Sequence, residues 1–269
     1  MTDKKKTALV IGSGAGGAMM AYELQGTYDV TVLEIGKKFK PFTFPLKPLA
    51  LLRKTGLFFD ERLIRFLLPN MAIQKTKDMV LVKGIGIGGT TTLATGNAVR
   101  FDKDLKALGI DLDHEFSYLY KMLPITTDHR ADWTETTEKM YDIFQELGLN
   151  PVVTPKLLQA DKCIGCGHCA IGCPMQAKWD CRVLLRDAVK KGAKLVTGCK
   201  VTSLEIKDNK VTKVLARKNG KKVAYQADLI VLAAGGLGSP VILEKSGIPC
   251  EKSLFVDPVL CVAGPLKDL

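Results

Sequence analysis

Cys163, Cys166, Cys169 and Cys173, with Pro174 directly behind them, form the run CIGCGHCAIGCP. The spacing C-x-x-C-x-x-C-x-x-x-C-P is one that holds iron–sulfur clusters. Thiolates set this close need a backbone that winds tightly round an inorganic core, and Gly165, Gly167 and Gly172 supply the turns. The run therefore predicts a [4Fe-4S] cluster on these four cysteines, and one-electron chemistry. In two-cluster proteins the fourth cysteine of such a run serves the other cluster. Only one quartet is present, so closure falls to Cys173 or to a remote thiol of Cys181, Cys199, Cys250 or Cys261, with Cys173 favoured. Two plainer readings are a structural zinc clasp and thiols that hold no metal. Zinc sites usually divide their ligands into two separated pairs, whereas this run is compact and ends in proline, which favours iron and sulfide. His168 reads as a loop residue rather than a ligand or proton carrier.

A second constellation opens the chain. TALVIGSGAGGAMMAYELQ reads as a buried strand from Ala8 to Ile11, a glycine turn, and a helix with its apolar face on Ala18, Ala21, Tyr22 and Leu24. Gly12, Gly14 and Gly17 fit G-x-G-x-x-G. The first glycine permits the tight turn, the second lets backbone approach a pyrophosphate, and the third allows close packing of helix on strand. The helix N-terminus would hold the phosphates, which makes Ser13, Ala15 and Gly16 candidate ligand-binding residues with the glycines. A strand from Asp29 to Leu33 ends in Glu34, about twenty residues on, where an acid accepts hydrogen bonds from a ribose hydroxyl.

That fingerprint leaves FAD and NAD both open, and two further glycine-rich stretches bear on the choice. KGIGIGGTTTLATGN (Lys83 to Asn97) is a long loop of small and hydroxyl residues able to present backbone N–H groups. ADLIVLAAGGLGSPVILEKSGI gives a buried strand, a tight turn through Ala234 and Gly235, and a helix, so backbone returns to the nucleotide crevice.

The elements that must position these groups fit a chain of 269 residues with 46% hydrophobic and 25% charged content, enough for one large or two modest domains. The apolar stretch after MTDKKK breaks at glycine too early for a signal peptide, and no apolar run reaches membrane-spanning length. The expected compartment is the cytoplasm, where eight cysteines are metal-binding or reduced rather than paired. The net charge of +11 is spread along the chain without interleaved aromatics, which excludes nucleic acid and fits acidic redox partners or anionic cofactors.

Four segments resemble the glucose-methanol-choline (GMC) family of FAD oxidoreductases: GSGAGG with Glu34; GIGIGGTTTLATGNAVR (Gly84 to Arg100); GCPMQAKWD (Gly172 to Asp180); and VLAAGGLGSPVILEKSGI (Val231 to Ile248). The third is similar to the long-chain alcohol oxidase branch. The resemblance implies FAD held by Gly12, Gly14, Gly17 and Glu34, with Gly88, Gly89, Thr90 and Asn97 near the flavin and Val201 as a backbone contact to adenine. Family members are longer and carry a catalytic histidine late in the chain. Here His114, His129 and His168 all precede the late strand, and Asp257 in LFVDP stands where the family has histidine, so the catalytic residue is unassigned.

The expected fold is α/β: a Rossmann-like FAD/NAD(P)-binding domain built from 1–100 and 182–248, with 101–181 as an inserted helical cap carrying the cluster segment, and 249–269 beginning a substrate region. Val201 to Val223 alternates apolar and polar residues about Asp208-Asn209 and Asn219-Gly220, which predicts a small antiparallel meander. Residues 113–148 show helical periodicity on Phe116, Leu119, Tyr120, Leu123, Met140, Ile143, Phe144 and Leu147, expected as core packing. Pro45 to Leu68 mixes apolar and basic residues as an interfacial or partner-docking helix pair would, with a buried cap as the simpler reading. The function expected is an FAD-dependent oxidoreductase subunit acting on CH–OH groups and exchanging electrons with the cluster. The rival is a non-catalytic relay between a catalytic partner and a carrier. Expected partners are a second subunit supplying the substrate domain and a ferredoxin-like protein or quinone as carrier, without nucleic acid and without a committed membrane contact.

Overall fold

A computed structural model describes residues 5–45, 66–251 and 253. The chain opens with β1 (Lys6–Ile11), α1 (Ala15–Glu23) and β2 (Tyr28–Leu33), the strand–helix–strand unit read from the sequence. A hairpin follows, β3 (Met71–Lys75) with β4 (Val80–Gly84), then a 3₁₀ turn at Gly89–Thr92. The cap contains α2 (Lys103–Ala107), α3 (Asp113–Met122), β5 (Ile125–Thr126), α4 (Glu135–Glu146) and β6 (Lys156–Leu157). The chain then returns through α5 (Arg182–Lys190), β7 (Lys194–Val196), β8 (Cys199–Lys207), β9 (Lys210–Lys218), β10 (Lys221–Tyr225), β11 (Leu229–Leu232) and α6 (Gly235–Glu244).

The central sheet is parallel, in the order β11-β1-β2-β7, with Val10 opposite both Val32 and Val231. A strand alternates its side chains between the two faces, so β1 feeds two separate cores. Ala8 and Val10, with Val30 and Val32, meet Ala18 and Ala21 of α1 and Leu184, Leu185 and Ala188 of α5. Leu9 and Ile11, with Leu33, join Val201, Leu204, Val214 and Ala216 of the meander and Ile242 of α6. Coverage on both faces explains why ALVI reads as an unbroken apolar run. The meander is β10-β9-β8, and its turns fall where the sequence puts them: Asp208, Asn209, Asn219 and Gly220 all have positive φ, as tight hairpin turns require.

The cap departs from expectation. Its helices form where the periodicity lies, and Thr134 caps α4 by accepting from Thr137 N, but no residue of α2, α3 or α4 is buried. Met140, Ile143, Phe144 and Leu147 are exposed rather than packed in a core. Periodicity reports that one face of a helix is apolar, not what covers it. Of the segment 45–68, residues 46–65 lie outside the described residues, as does the stretch Leu254 to Pro258 with Asp257. Among the described residues no helix is long and apolar enough to cross a membrane.

Residues 155–159 join the two chemistry-bearing regions. On one side Lys156 bridges Asn97, Ala98 N donates to Pro155 O (2.8 Å) and Leu157 N donates to Gly96 O (2.7 Å). On the other, Leu158 bridges Lys178, Gln159 N donates to Ala177 O and Trp179 N donates to Leu157 O (2.9 Å each). This short strand therefore ties the glycine loop ending at Asn97 to the segment that follows the cysteine run.

Candidate functional site

The carboxyl ends of the parallel strands share one edge. Gly12 N donates to Leu33 O, Ala233 N to Ile11 O and Glu34 N to Val196 O, each at 2.8 Å. Ligands of open α/β sheets bind outside this edge. Gly12 has φ +103°, and a Cβ there would lie 2.3 Å from Ala233 O, so the late turn through Ala234 and Gly235 sits directly on the first glycine. At Gly17 a Cβ would fall 1.9 Å from Gly12 O, which brings α1 hard against the turn. Gly14 is different, because a Cβ there would meet nothing within 4 Å. It faces open space beside a helix N-terminus that has no side-chain cap and no acid in its first turn, with Ala15 and Gly16 exposed. Free N–H groups, the positive end of the helix dipole and an open glycine face make a cradle for a pyrophosphate.

Glu34 is buried at the tip of β2. Its Oε2 accepts from Ser13 N (3.1 Å) and Ser13 Oγ (2.6 Å), and its Oε1 accepts from Gly36 N (2.7 Å). The acid expected to read a ribose hydroxyl thus also fixes the glycine turn. A carboxylate has about four acceptor positions, so one remains for a ribose donor. Ser13 was legible only as a position within the turn; its hydroxyl bond to Glu34 carries no sequence signal.

The second glycine loop lies across the same helix end. Gly88 N donates to Ser13 O (3.2 Å), and a Cβ on Gly89 would come 2.9 Å from Gly14 Cα. Thr90 Oγ1 accepts from Gly84 N (3.2 Å), bracing this loop against β4. Cys181, fully buried, latches the two loops together: its Sγ lies 3.3 Å from Gly88 O, 3.6 Å from Ser13 O and 3.2 Å from Thr91 Oγ1. Burial pushes its thiol up to about 11, so it remains a neutral donor here. Sequence spacing offered Cys181 only as a remote metal ligand; the latch was not legible. Asn97 stands apart, exposed, with its Oδ1 accepting from Lys156 Nζ (2.6 Å), and Val201 belongs to the buried cluster on the meander side.

Cys163, Cys166, Cys169 and Cys173 are half-buried free thiols of one loop. Gly165, Gly167 and Gly172 all take positive φ, as the tight winding requires. The convergence expected of the four thiols is not there: among the described residues no three His, Cys, Asp or Glu side chains form a group that could hold a metal ion. His168 is more than a loop residue. It is buried, with Nδ1 2.9 Å from Cys166 O and Nε2 2.8 Å from Phe44 O, and so pins the cysteine loop to the segment after β2. Of three cations that flank the run, Lys162 bonds Gln159 Oε1 (2.6 Å) and Arg182 pairs with Asp180 (2.7 Å). Lys178, buried, donates to Thr91 O (2.9 Å), Thr92 O (3.1 Å) and Ala94 O (2.6 Å), the far end of the glycine loop.

The family model described as GMC oxidoreductase matches residues 7–260. An uncharacterized GMC-type oxidoreductase of Mycobacterium tuberculosis is 31% identical over 97% of this chain and 43% of its own length. A long-chain-alcohol oxidase of Arabidopsis thaliana is 27% identical over 98% of this chain and 38% of its own. The crystal structure of pyridoxine 4-oxidase from Mesorbium loti superposes with a TM-score of 0.60 at 18% identity, over 91% of this chain and 52% of that one, a likeness of fold. The chain spans about half the length of these relatives, or less.

Proposed function

The chain belongs to the GMC oxidoreductase family, and on that premise we propose that it binds FAD and takes part in the oxidation of a CH–OH donor. The observation that carries this is the open face of Gly14 at an uncapped helix N-terminus, closed in by Gly12, Gly88 and Gly89 and by the buried Glu34. Bound there, FAD supplies two-electron oxidation of a carbon that bears a hydroxyl, and can hand electrons on singly. The N–H groups of α1 bind the pyrophosphate, Glu34 orients a ribose, and the loop from Gly88 to Asn97 borders the flavin. The similar long-chain-alcohol oxidase supports an alcohol-bearing donor.

The cysteine run is the second element of this reading. Cys163, Cys166, Cys169 and Cys173 are the residues that would hold a [4Fe-4S] cluster once their thiols are drawn together, and it would supply one-electron steps to an external carrier, a ferredoxin-like protein or a quinone. What supports it is the spacing, the three positive-φ glycines, and the strand at 155–159 that ties this segment to the flavin-side loop. In the relay alternative, a partner subunit oxidises the donor and this chain only conducts electrons.

Anaerobic purification followed by measurement of FAD, iron, acid-labile sulfide and zinc per chain tests both parts. One FAD with about four irons and four sulfides is expected. A chain without flavin overturns the first part. Zinc without sulfide overturns the cluster and leaves a structural clasp. Bleaching of the flavin by an alcohol only when a partner is added would select the relay.

A further inference from the structure

We infer that Lys178 is a positioning residue for the flavin-side loop: its ammonium gathers the carbonyls of Thr91, Thr92 and Ala94 behind the loop and so turns the Thr95 N–H outward, as a hydrogen-bond donor to the flavin. This deepens the FAD reading and rests on it.

Lys178 is 4% exposed, and its Nζ donates to Thr91 O (2.9 Å), Thr92 O (3.1 Å) and Ala94 O (2.6 Å), one carbonyl for each N–H of the ammonium. These carbonyls lie at and just beyond the end of the 3₁₀ turn Gly89–Thr92, where a helical turn runs out of backbone donors. Leu93 N and Ala94 N both donate to Thr90 O, and among the described residues no backbone N–H reaches any of the three. Without the ammonium they would be left unpaired inside the protein, at a cost in free energy. A lysine this buried is ordinarily matched to a carboxylate. Here the nearby Asp180 is committed to Arg182 through both oxygens at 2.7 Å, and the carbonyls of the loop take that place.

The orientation of the loop follows from these bonds. Its peptide bonds are trans, so a carbonyl and the N–H of the next residue point to opposite sides. Ala94 O on the ammonium therefore puts the N–H of Thr95, an exposed residue, on the far side, with no protein acceptor among the described residues. The lysine stem shapes the loop as well: Gly96 has φ +83°, and a Cβ there would lie 3.2 Å from Lys178 Cγ. The lysine backbone is itself held, by its bridge to Leu158 and by Trp179 N on Leu157 O. At the other end of the loop Cys181 Sγ meets Gly88 O, and a Cβ on Gly88 would lie 2.8 Å from Arg182 Cγ. Residues 178–182 thus hold the loop at both ends.

The test uses the full chain as wild type, K178M, K178Q and K178R, freed of flavin and titrated with FAD. Affinity and the visible circular dichroism of the bound flavin are read, with folding of each apoprotein followed by far-UV circular dichroism. The neutral variants should bind FAD about 10-fold more weakly, and the visible band should change, because it reports the groups around the flavin ring. K178R keeps the charge, but a planar fork does not match three carbonyls round one nitrogen, so its affinity should fall between wild type and K178M. Unchanged affinity and band in a folded neutral variant would overturn the inference alone. Weaker affinity with an unchanged band would overturn it too, because Lys178 would then steady the protein without setting the flavin's surroundings. If neither neutral variant folds, K178R carries the test by the same two readings, and failure of all three to fold would assign the lysine to the fold rather than the loop and overturn the inference. A wild-type chain that takes up no FAD overturns it together with the FAD reading.

Discussion

Gly14 and Gly17 stand three residues apart and are glycine for opposite reasons. Gly17 has no room for a methyl group, since Gly12 O would lie 1.9 Å from it, whereas Gly14 has unfilled room and an ordinary φ of −72°. Gly17→Ala should cost about 1–3 kcal/mol in unfolding free energy through overpacking. Gly14→Ala should cost about 1 kcal/mol or less, since alanine is only a poorer N-cap. On flavin the order reverses: Gly14→Ala should weaken FAD binding more than tenfold in a titration of folded apoprotein, because the methyl occupies the pyrophosphate's place. Cys181 gives a second test at this scale. Its thiol sits at about 11 in the fold against an ordinary 9.0. Between those values the folded chain keeps a proton that the unfolded chain has lost. The contribution is therefore whole below pH 9 and is lost as pH rises towards 11, by up to about 3 kcal/mol. Cys181→Ser holds its proton throughout, so denaturant unfolding should show wild type losing stability relative to the variant across that window. Lys178, pushed down by burial, slopes the other way below its ordinary 10.5, but it is common to both proteins and cancels.

At the scale of elements, what was legible followed from strict periodicity. The β1–α1–β2 unit, the meander with its asparagine turns and the late strand–helix pair all appear where the pattern puts them, because each is specified by neighbours in sequence. The strand at 155–159 carries no such signal: two of its residues form β6 against β5, and the rest is held by hydrogen bonds given and received at distant edges, 96–98 and 177–179. The cap helices were legible as helices but not as exposed ones. Ile143 is 43% exposed, so Ile143→Asp should change unfolding free energy by no more than about 0.5 kcal/mol. A loss of several kcal/mol would mean that this face is covered after all. For the site, the glycines and Glu34 were readable as types at spacings. Their mutual bonds through Ser13, Cys181 and Lys178 join loops far apart in sequence and leave no local pattern.

Across the whole molecule, two cores share one parallel sheet, and the glycine loops gather at a single edge of it. The net charge of +11 favours anions, in keeping with the uncapped N-terminus of α1 at that edge. The cap enters and leaves this assembly at one point, where Ala98 N meets Pro155 O at 2.8 Å. A chain that departs and returns through such a doorway can lengthen, shorten or change its composition between 99 and 154 at little cost in loop closure, since that cost grows only logarithmically with length. What anchors the stretch inside that doorway is β5 on β6, Met122 beside α1 and Tyr118 on Glu23, so the segments between those contacts are where its length and composition are free to drift while the glycine floor stays put.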